Sequence, residues 1–309
     1  MPRLPSVTVF IPTRNAGARF EQTMRRVASQ DYPRFNILVI DTSSQDATRD
    51  IAARHGAKVH VITQDEFSHG GTRNLAARMA TGDVIAFLTQ DALPASREWL
   101  RNLVGPLADL SVAGVFGGQR PYPDASPMER FFYRKRFPET GKRRALASRG
   151  RIALDDIFFS NVNSAITQKL LLENPFEERL IMSEDQEWAK RMLLKGYATL
   201  YEPSAAVIHS HYYSLRSAFT RYFDSAYSLM QITDDTFRSF TRQGVSYTLE
   251  EIRWVAREKP LVIPYLLCYD FSKMAGTFLG RHGRSLPRSL CRQLSMHSYH
   301  WKRPPELAH

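Results

Sequence analysis

The chain has 309 residues, and 42 Lys and Arg against 31 Asp and Glu leave a formal charge of +11. Hydrophobic residues make up 43% and aromatics 11%, which excludes a disordered chain and is unlike collagen or coiled coil. Two cysteines, Cys268 and Cys291, are too few for a disulfide framework or a four-ligand zinc site, so a reducing cytosol is expected. The length suits one large domain, or a catalytic domain with an appendage. The N-terminal apolar run is cut by Pro12 and followed by Arg14, unlike a signal peptide. The longest apolar window, LVIPYLLCY at 261–269, contains Pro264 and falls well short of the ~20 residues of a spanning helix. A cytoplasmic protein is expected, with docking on the inner face of the cell membrane left open.

The first hundred residues alternate. SVTVFIP (6–12) reads as a buried strand, and 17–30 as a helix with Phe20, Met24, Val27 and Ala28 on one face. FNILVID (35–41) is a second strand. Residues 42–56 are a capped loop and helix closed by Gly56, and AKVHVIT (57–63) is a third strand. A helix over 71–79 and a strand over 83–91 follow. This order predicts an α/β fold: a Rossmann-like, mostly parallel sheet flanked by helices. Ligands of such sheets bind beyond the carboxyl ends of the strands, where Thr13-Arg14-Asn15, Asp41 to Ser44 and Gln90-Asp91 fall.

The middle is less regular. Residues 97–110 read as a helix, 112–123 as a strand entering a loop, and 124–151 as a strongly basic run. Residues 157–166 are strand-like, 183–196 form an amphipathic helix, and 198–214 read as a strand pair ending in His209 and His211. From about 215 the spacing turns helical: Phe219, Tyr222, Phe223, Ala226, Tyr227 and Met230, then helices over 249–258 and 261–280. The tail to 303 interleaves Arg281, Arg284, Arg288, Arg292, Lys302 and Arg303 with Leu286, Leu290, Leu294, Tyr299 and Trp301. The expected division is a catalytic domain over 1–215 and a helical, basic, amphipathic C-terminal extension over 216–309.

Four constellations carry chemistry. In LTQDA (88–92), Asp91 at a strand end can offer a carboxylate to Mg²⁺ or Mn²⁺, or can cap the next turn. In SED (183–185), acids opening a helix are favoured by the macrodipole, and one of them can also serve as a general base. His209 and His211, two apart on a strand, would share a face and can ligate a metal or bind a diphosphate. DEFSHGGTRN (65–74) joins Gly70-Gly71 to a helix start with Arg73, an anion site without a P-loop or dinucleotide fingerprint.

Taken in order, IPTRN (11–15), VIDTSSQDAT (39–48), HGGTRN (69–74), LTQDA, SNVNSAI (160–166), SEDQEW (183–188) and a later His form a set. The set resembles the inverting family 2 glycosyltransferases of the glycosyltransferase-A fold, most of all bacterial rhamnosyltransferases that use dTDP-L-rhamnose. DEFSHGGTRN, TQDA in place of Asp-x-Asp, and LSMHSYHW (294–301) carry the subgroup likeness. The resemblance implies a nucleotide site at Thr13, Arg14, Asn15, Asp41, Ser43, Asp46, Arg73, Asn74 and Gln90. Asp41 would meet the pyrimidine base. It further implies a metal site at Asp91 with His209 or His211, holding Mg²⁺ or Mn²⁺. Asp185 would be the catalytic base with Glu184 beside it. Sugars of donor or acceptor would meet His69, Asn161, Asn163 and Trp188. Arg73 or basic residues of 134–151 would stabilise the leaving diphosphate.

The implied partners are a nucleotide-sugar donor and a glycan acceptor, polyprenyl-diphosphate-linked in O-antigen or cell-wall assembly. Alternatives are the same fold with a UDP-hexose or another dTDP-sugar, a nucleotidyltransferase, and a non-catalytic binding module. No nucleic-acid motif accompanies the positive charge, so nucleic acid is not expected as a partner. The segment 261–303 reads as a surface for an anionic membrane, with Trp301 near its end. The helical extension reads equally as packing on the catalytic domain or as a homodimer interface.

Overall fold

A computed structural model describes residues 4–146, 152–233 and 237–302. The chain divides into two units. The first comprises Met1–Arg120, Phe137–Glu178 and Glu184–His209; the second comprises Pro121–Arg136, Arg179–Ser183 and Ser210–His309. Two short stretches from the middle of the sequence thus join the C-terminal helices, where the sequence suggested one cut near residue 215.

In the first unit the strands β1 (Val7–Thr13), β2 (Phe35–Thr42), β3 (Lys58–Ile62) and β4 (Val84–Leu88) alternate with the helices α1 (Arg19–Ala28), α2 (Thr48–Arg54) and α3 (His69–Met79). There follow β5 (Leu93–Pro94), α4 (Trp99–Val104), β6 (Val112–Arg120), β7 (Lys142–Arg144), β8 (Asn163–Thr167), α6 (Gln168–Glu173), α7 (Glu184–Leu194) and β9 (Ala198–Ile208). They form one sheet in the order β3-β2-β1-β4-β8-β6-β9-β5, with β7 also paired to β9. β1, β2, β3 and β4 are mutually parallel, β8 is antiparallel to both β4 and β6, and β6 is parallel to β9. Six strands therefore share one direction, as the α/β reading expected, and their carboxyl ends lie along one edge.

The central strands β1, β4, β6 and β8 are buried along nearly their whole length because both faces are covered. Along β1, Val7, Val9 and Ile11 enter one core with Phe20, Met24 and Val27 of α1, spaced at i, i+4 and i+7. Phe10 points the other way, into a core with Ala76 and Ala77 of α3 and Trp188 and Met192 of α7. Both cores exclude water from large side chains, each worth about 1.5–3 kcal/mol on burial.

Several local expectations change. The predicted strand pair over 198–214 is one strand ending at Ile208; Pro203 falls in a bulge where Glu202 pairs with Gly117 and Val207 with Gln119. A proline has no N–H for a ladder, so the strand bends there instead of turning back. His209 and His211 therefore follow the strand and do not share a face of it. Residues 157–162 are not strand: Ile157 and Phe159 are buried without a ladder. The helix expected over 97–110 is α4 continued by a short 3₁₀ turn, Gly105–Ala108.

The second unit is helical: α5 (Pro127–Arg136), α8 (Leu215–Ile232), α9 (Phe237–Glu258), α10 (Ile263–Arg281) and α11 (Arg288–Leu294). α9 begins twelve residues before the expected helix over 249–258. A side chain at Gly276 would place its Cβ 2.3 Å from the Phe219 carbonyl oxygen, so α10 lies against α8 as only glycine permits. Trp301 is not on the surface, as the membrane reading placed it. It is 7% exposed and packs edge-on to Tyr227, with ring centroids 5.0 Å apart. Arg303 and residues 147–151 lie outside the described residues.

Candidate active site

β1, β2, β4, β6 and β9 end along the shared edge, and their following loops tie to one another. Asp41, at the end of β2, has no exposed surface. Its carboxylate accepts from Thr13 Oγ1 at 2.7 Å, Ser44 Oγ at 2.6 Å and Ser44 N at 2.8 Å. The expected contact of Asp41 with a base is thus corrected: the carboxylate is committed to joining the first two loops, as is buried Thr13. Arg14, Asn15, Ser43 and Asp46 are the exposed members of this group. Arg14 N donates to Gln90 Oε1 at 2.8 Å, and Asn15 Oδ1 accepts from Gln45 N at 2.8 Å. Asp46 accepts from Gly17 N at 3.0 Å and from the Thr48 hydroxyl, and these hydrogen bonds hold its carboxyl below the usual range. Asn15 and Ser43 have φ of +43° and +49°, a conformation costly for side chains with a Cβ. Such strain gathers where loops serve a ligand.

The HGGTRN segment opens α3, with Ser68 capping through Gly71 N. Its close approach is to the chain itself: a Cβ on Gly70 would lie 2.4 Å from the Glu177 carbonyl oxygen. Asn74 holds the same stretch, donating to Phe176 O at 2.9 Å and Glu178 Oε1 at 2.8 Å and accepting from Phe176 N at 2.9 Å. Asn74 is buried and fully occupied, which corrects its expected contact with a nucleotide. His69 is half-buried, edge-on to Phe67 at 5.3 Å.

Arg73 turns inward to Glu184 Oε1, 3.0 Å away, and donates to His69 O at 3.0 Å. Glu184 also accepts from Asn161 Nδ2 at 3.3 Å. Asn161 N donates to Asp185 Oδ2 at 3.0 Å, while its own Oδ1 accepts from Ser164 Oγ at 2.8 Å. Asn161 is 2% exposed, so in place of the expected sugar contact it orients two carboxylates. Asp185 is half-buried and its proton affinity is pushed up to about 7, by desolvation first and by the neighbouring Glu184 charge second. A carboxylate poised near neutrality is matched to general-base work.

Asp91 lies in the turn after β4, with Oδ1 3.6 Å from His209 Nε2. His209 is 4% exposed, and its Nδ1 lies 3.0 Å from Gln119 Oε1. An amide oxygen only accepts, so Gln119 Oε1 takes up Nδ1 and leaves Nε2 as the nitrogen that faces Asp91. Gln119 is fixed in turn by donating to Ser160 Oγ at 3.0 Å. A carboxylate oxygen and an imidazole nitrogen at this distance can share a cation, a proton or a metal ion. Carboxylate oxygen plus imidazole nitrogen is a donor pair that suits a divalent ion such as Mn²⁺. Between His209 and His211, it is His209 that meets Asp91 within the first unit. His211 belongs to the second unit, where its N–H donates to Glu129 at 2.8 Å.

Two expected sugar contacts are corrected outright. Trp188 has no exposed surface and donates from Nε1 to Asn174 O at 2.9 Å. Asn163 is fully buried, accepting from Trp99 Nε1 at 2.8 Å and donating to Ala205 O at 2.7 Å. Both are core residues beside the site. Of the basic run, Arg143 pairs with Asp109 at 3.1 Å and Lys142 with Asp155 at 3.2 Å. Gln119 is absent from the residues singled out by the sequence. Its only signal there is one amide ending an apolar strand, VAGVFGGQ.

Residues 8–165 match the profile of glycosyl transferase family 2. The chain is 33% identical over 302 residues to the O-antigen chain rhamnosyltransferase RfbN of Salmonella typhimurium, covering 96% of each chain. It is 34% identical over 306 residues to the O-antigen chain rhamnosyltransferase WbaN of Salmonella anatum, again covering 96% of each. Among solved structures it is similar to the mannosyltransferase PcManGT of Pyrobaculum calidifontis in complex with GDP-Man and Mn²⁺. There the TM-score is 0.57 at 20% identity, over 93% of this chain and 77% of that one.

Proposed function

The chain belongs to glycosyl transferase family 2 and is a glycosyltransferase, and on that footing we propose that it transfers L-rhamnose from dTDP-β-L-rhamnose to a hydroxyl of a glycan acceptor. The acceptor is a lipid-linked glycan of O-antigen or cell-wall assembly. The near full-length likeness to two O-antigen rhamnosyltransferases supports both the sugar and the acceptor class. The observation that carries the chemistry is Asp185, half-buried, oriented by Asn161 and raised toward neutrality beside Glu184.

The reaction is a single displacement. Asp185 takes the proton of the acceptor hydroxyl as that oxygen bonds to the anomeric carbon. The bond from that carbon to the diphosphate oxygen breaks, and its electron pair leaves with dTDP. A β-linked donor gives an α-linked product. The exposed loop residues Arg14, Asn15, Ser43 and Asp46, with half-buried Gln90, receive the nucleotide, and Thr13 and Asp41 keep their loops in register. Asp91 and His209 are the proposed holders of Mg²⁺ or Mn²⁺, which when bound would offset charge on the leaving diphosphate.

Calorimetric titration of dTDP and UDP, each with and without Mn²⁺, tests this reading. dTDP should bind more tightly than UDP, with metal enhancement, and Asp91→Ala should remove about tenfold or more of that enhancement. Preference for UDP would move the donor to a UDP-sugar. Affinity that ignores Mn²⁺ in the unsubstituted protein would sink the metal site.

A further inference from the structure

α10 carries its side chains inside out. Its exposed positions are Pro264, Leu267, Cys268, Phe271, Met274 and Phe278, with Phe271 72% and Met274 67% exposed. No charged side chain of this 19-residue helix is among them. Buried Asp270 and half-buried Lys273 lie 2.7 Å apart, with Lys273 also 3.5 Å from Glu251 of α9. The large apolar side chains at 267, 271, 274 and 278 recur at i, i+4, i+7 and i+11, one stripe about 16 Å long. Leu261, 91% exposed, precedes the helix. An amphipathic helix of a water-soluble fold turns its apolar stripe to the core. Here that face already packs on α8 through Gly276 and Gly280, and a second apolar face looks outward.

We propose that this outer stripe lies in the headgroup–acyl boundary of an anionic phospholipid bilayer. The flanking charge selects that occupant. From 259 to 302 the only acid is the buried Asp270, whereas Lys259, Arg281, Arg284, Arg288, Arg292 and Lys302 are all basic. A second copy of the chain packed on the stripe would set cations against cations in either orientation, because both ends of the helix are basic. Anionic lipid meets both the stripe and its flanks. Among the described residues no helix is long and apolar enough to cross a membrane, so α10 lies along the surface.

The full chain should float with phosphatidylcholine vesicles containing about one third phosphatidylglycerol, and neither with pure phosphatidylcholine nor with either vesicle at high salt. Phe271→Trp should show a blue-shifted emission on adding the anionic vesicles. Phe271→Asp with Phe278→Asp, and separately Arg284→Gln with Arg292→Gln, should each weaken partitioning about tenfold or more without lowering Tm. The proposal is overturned if the unsubstituted chain does not float, or if the stripe variant floats as well as it does. It is also overturned if the unsubstituted chain sediments as a dimer that the stripe variant converts to monomer, which would assign the stripe to a second copy. Vesicle binding is read without nucleotide, so the outcome is independent of the donor.

Discussion

Glu184 and Asp185 are neighbours in the first turn of α7 with different surroundings. Glu184 shares the inward face with Trp188, four residues on, and is matched by the Arg73 guanidinium. Asp185 stands about 100° round the helix, half-buried, and accepts from two backbone N–H groups. Only its ionised form accepts a proton, so kcat should rise with pH through about 7 and level above it. Glu184→Gln removes the like charge and should move that limb to lower pH, whereas Asp185→Asn should cost about 10²–10⁴ in kcat and leave nucleotide affinity near normal. Profiles of kcat against pH for the three proteins check this, and an unshifted limb in Glu184→Gln would contradict the pairing. Gln119 acts one residue removed, by setting which nitrogen of His209 faces Asp91. Gln119→Leu should weaken Mn²⁺ binding about 10–100-fold, read by the free-ion spin-resonance signal, with dTDP affinity in the absence of metal unchanged. Equal Mn²⁺ affinity in the variant would remove Gln119 from the site.

At the scale of elements, close packing of α8 and α10 depends on two glycines. A Cβ at Gly276 or Gly280 would lie 2.3 or 2.2 Å from the carbonyl oxygen of Phe219 or Phe223, backbone that cannot move aside without parting the helices. Gly276→Val should therefore destabilise the protein by about 2–4 kcal/mol in urea titration, although helix propensity alone would favour Val over Gly by a few tenths of a kcal/mol. Wild-type stability in this variant would mean the helices are not in contact there. Neither glycine stands out in the sequence, because a tertiary contact has no local period. The strands and helices of the first ninety residues do stand out, since each strand is a short apolar run bounded by polar loops and each helix repeats near 3.6. The same legibility holds for the positions of Asp91, Glu184 and Asp185 at element ends. It fails where a residue's partner is remote in sequence. Asn161 and Asn163 read alike as polar strand residues, yet one orients carboxylates and the other braces Trp99. The resemblance sets Trp188 among the sugar contacts, but the helix turn carries it inward with Glu184.

At the scale of the whole molecule, both units bury carboxylates, and in the second unit two of them carry a pH dependence that stability can report. Asp224 accepts from the Met296 and His297 N–H groups at 2.9 and 3.0 Å, yet burial raises its proton affinity to about 6. Glu251 is raised to about 7, again by burial first, with Lys273 opposing. Both ordinary carboxyl values lie near 4, so the folded state binds more protons than the unfolded state between about pH 4 and 7. The stability these groups contribute is then present in full below about pH 4 and is lost as pH rises through 6 to 7. The second unit should therefore unfold more easily at about pH 8 than at about pH 5.5, by on the order of 3 kcal/mol. Repulsion among the 42 basic side chains works the other way at low pH, but those charges are already present at neutrality and change little over this window. Trp254 and Trp301 belong to this unit, so urea titrations followed by tryptophan emission report it, with Trp99 and Trp188 replaced by Phe to silence the first unit. Asp224→Asn and Glu251→Gln should each flatten the pH dependence, because an amide cannot ionise. Stability that instead climbs from pH 5.5 to 8 would mean both carboxylates fold ionised, with Lys273 and the 296–297 backbone outweighing their loss of water.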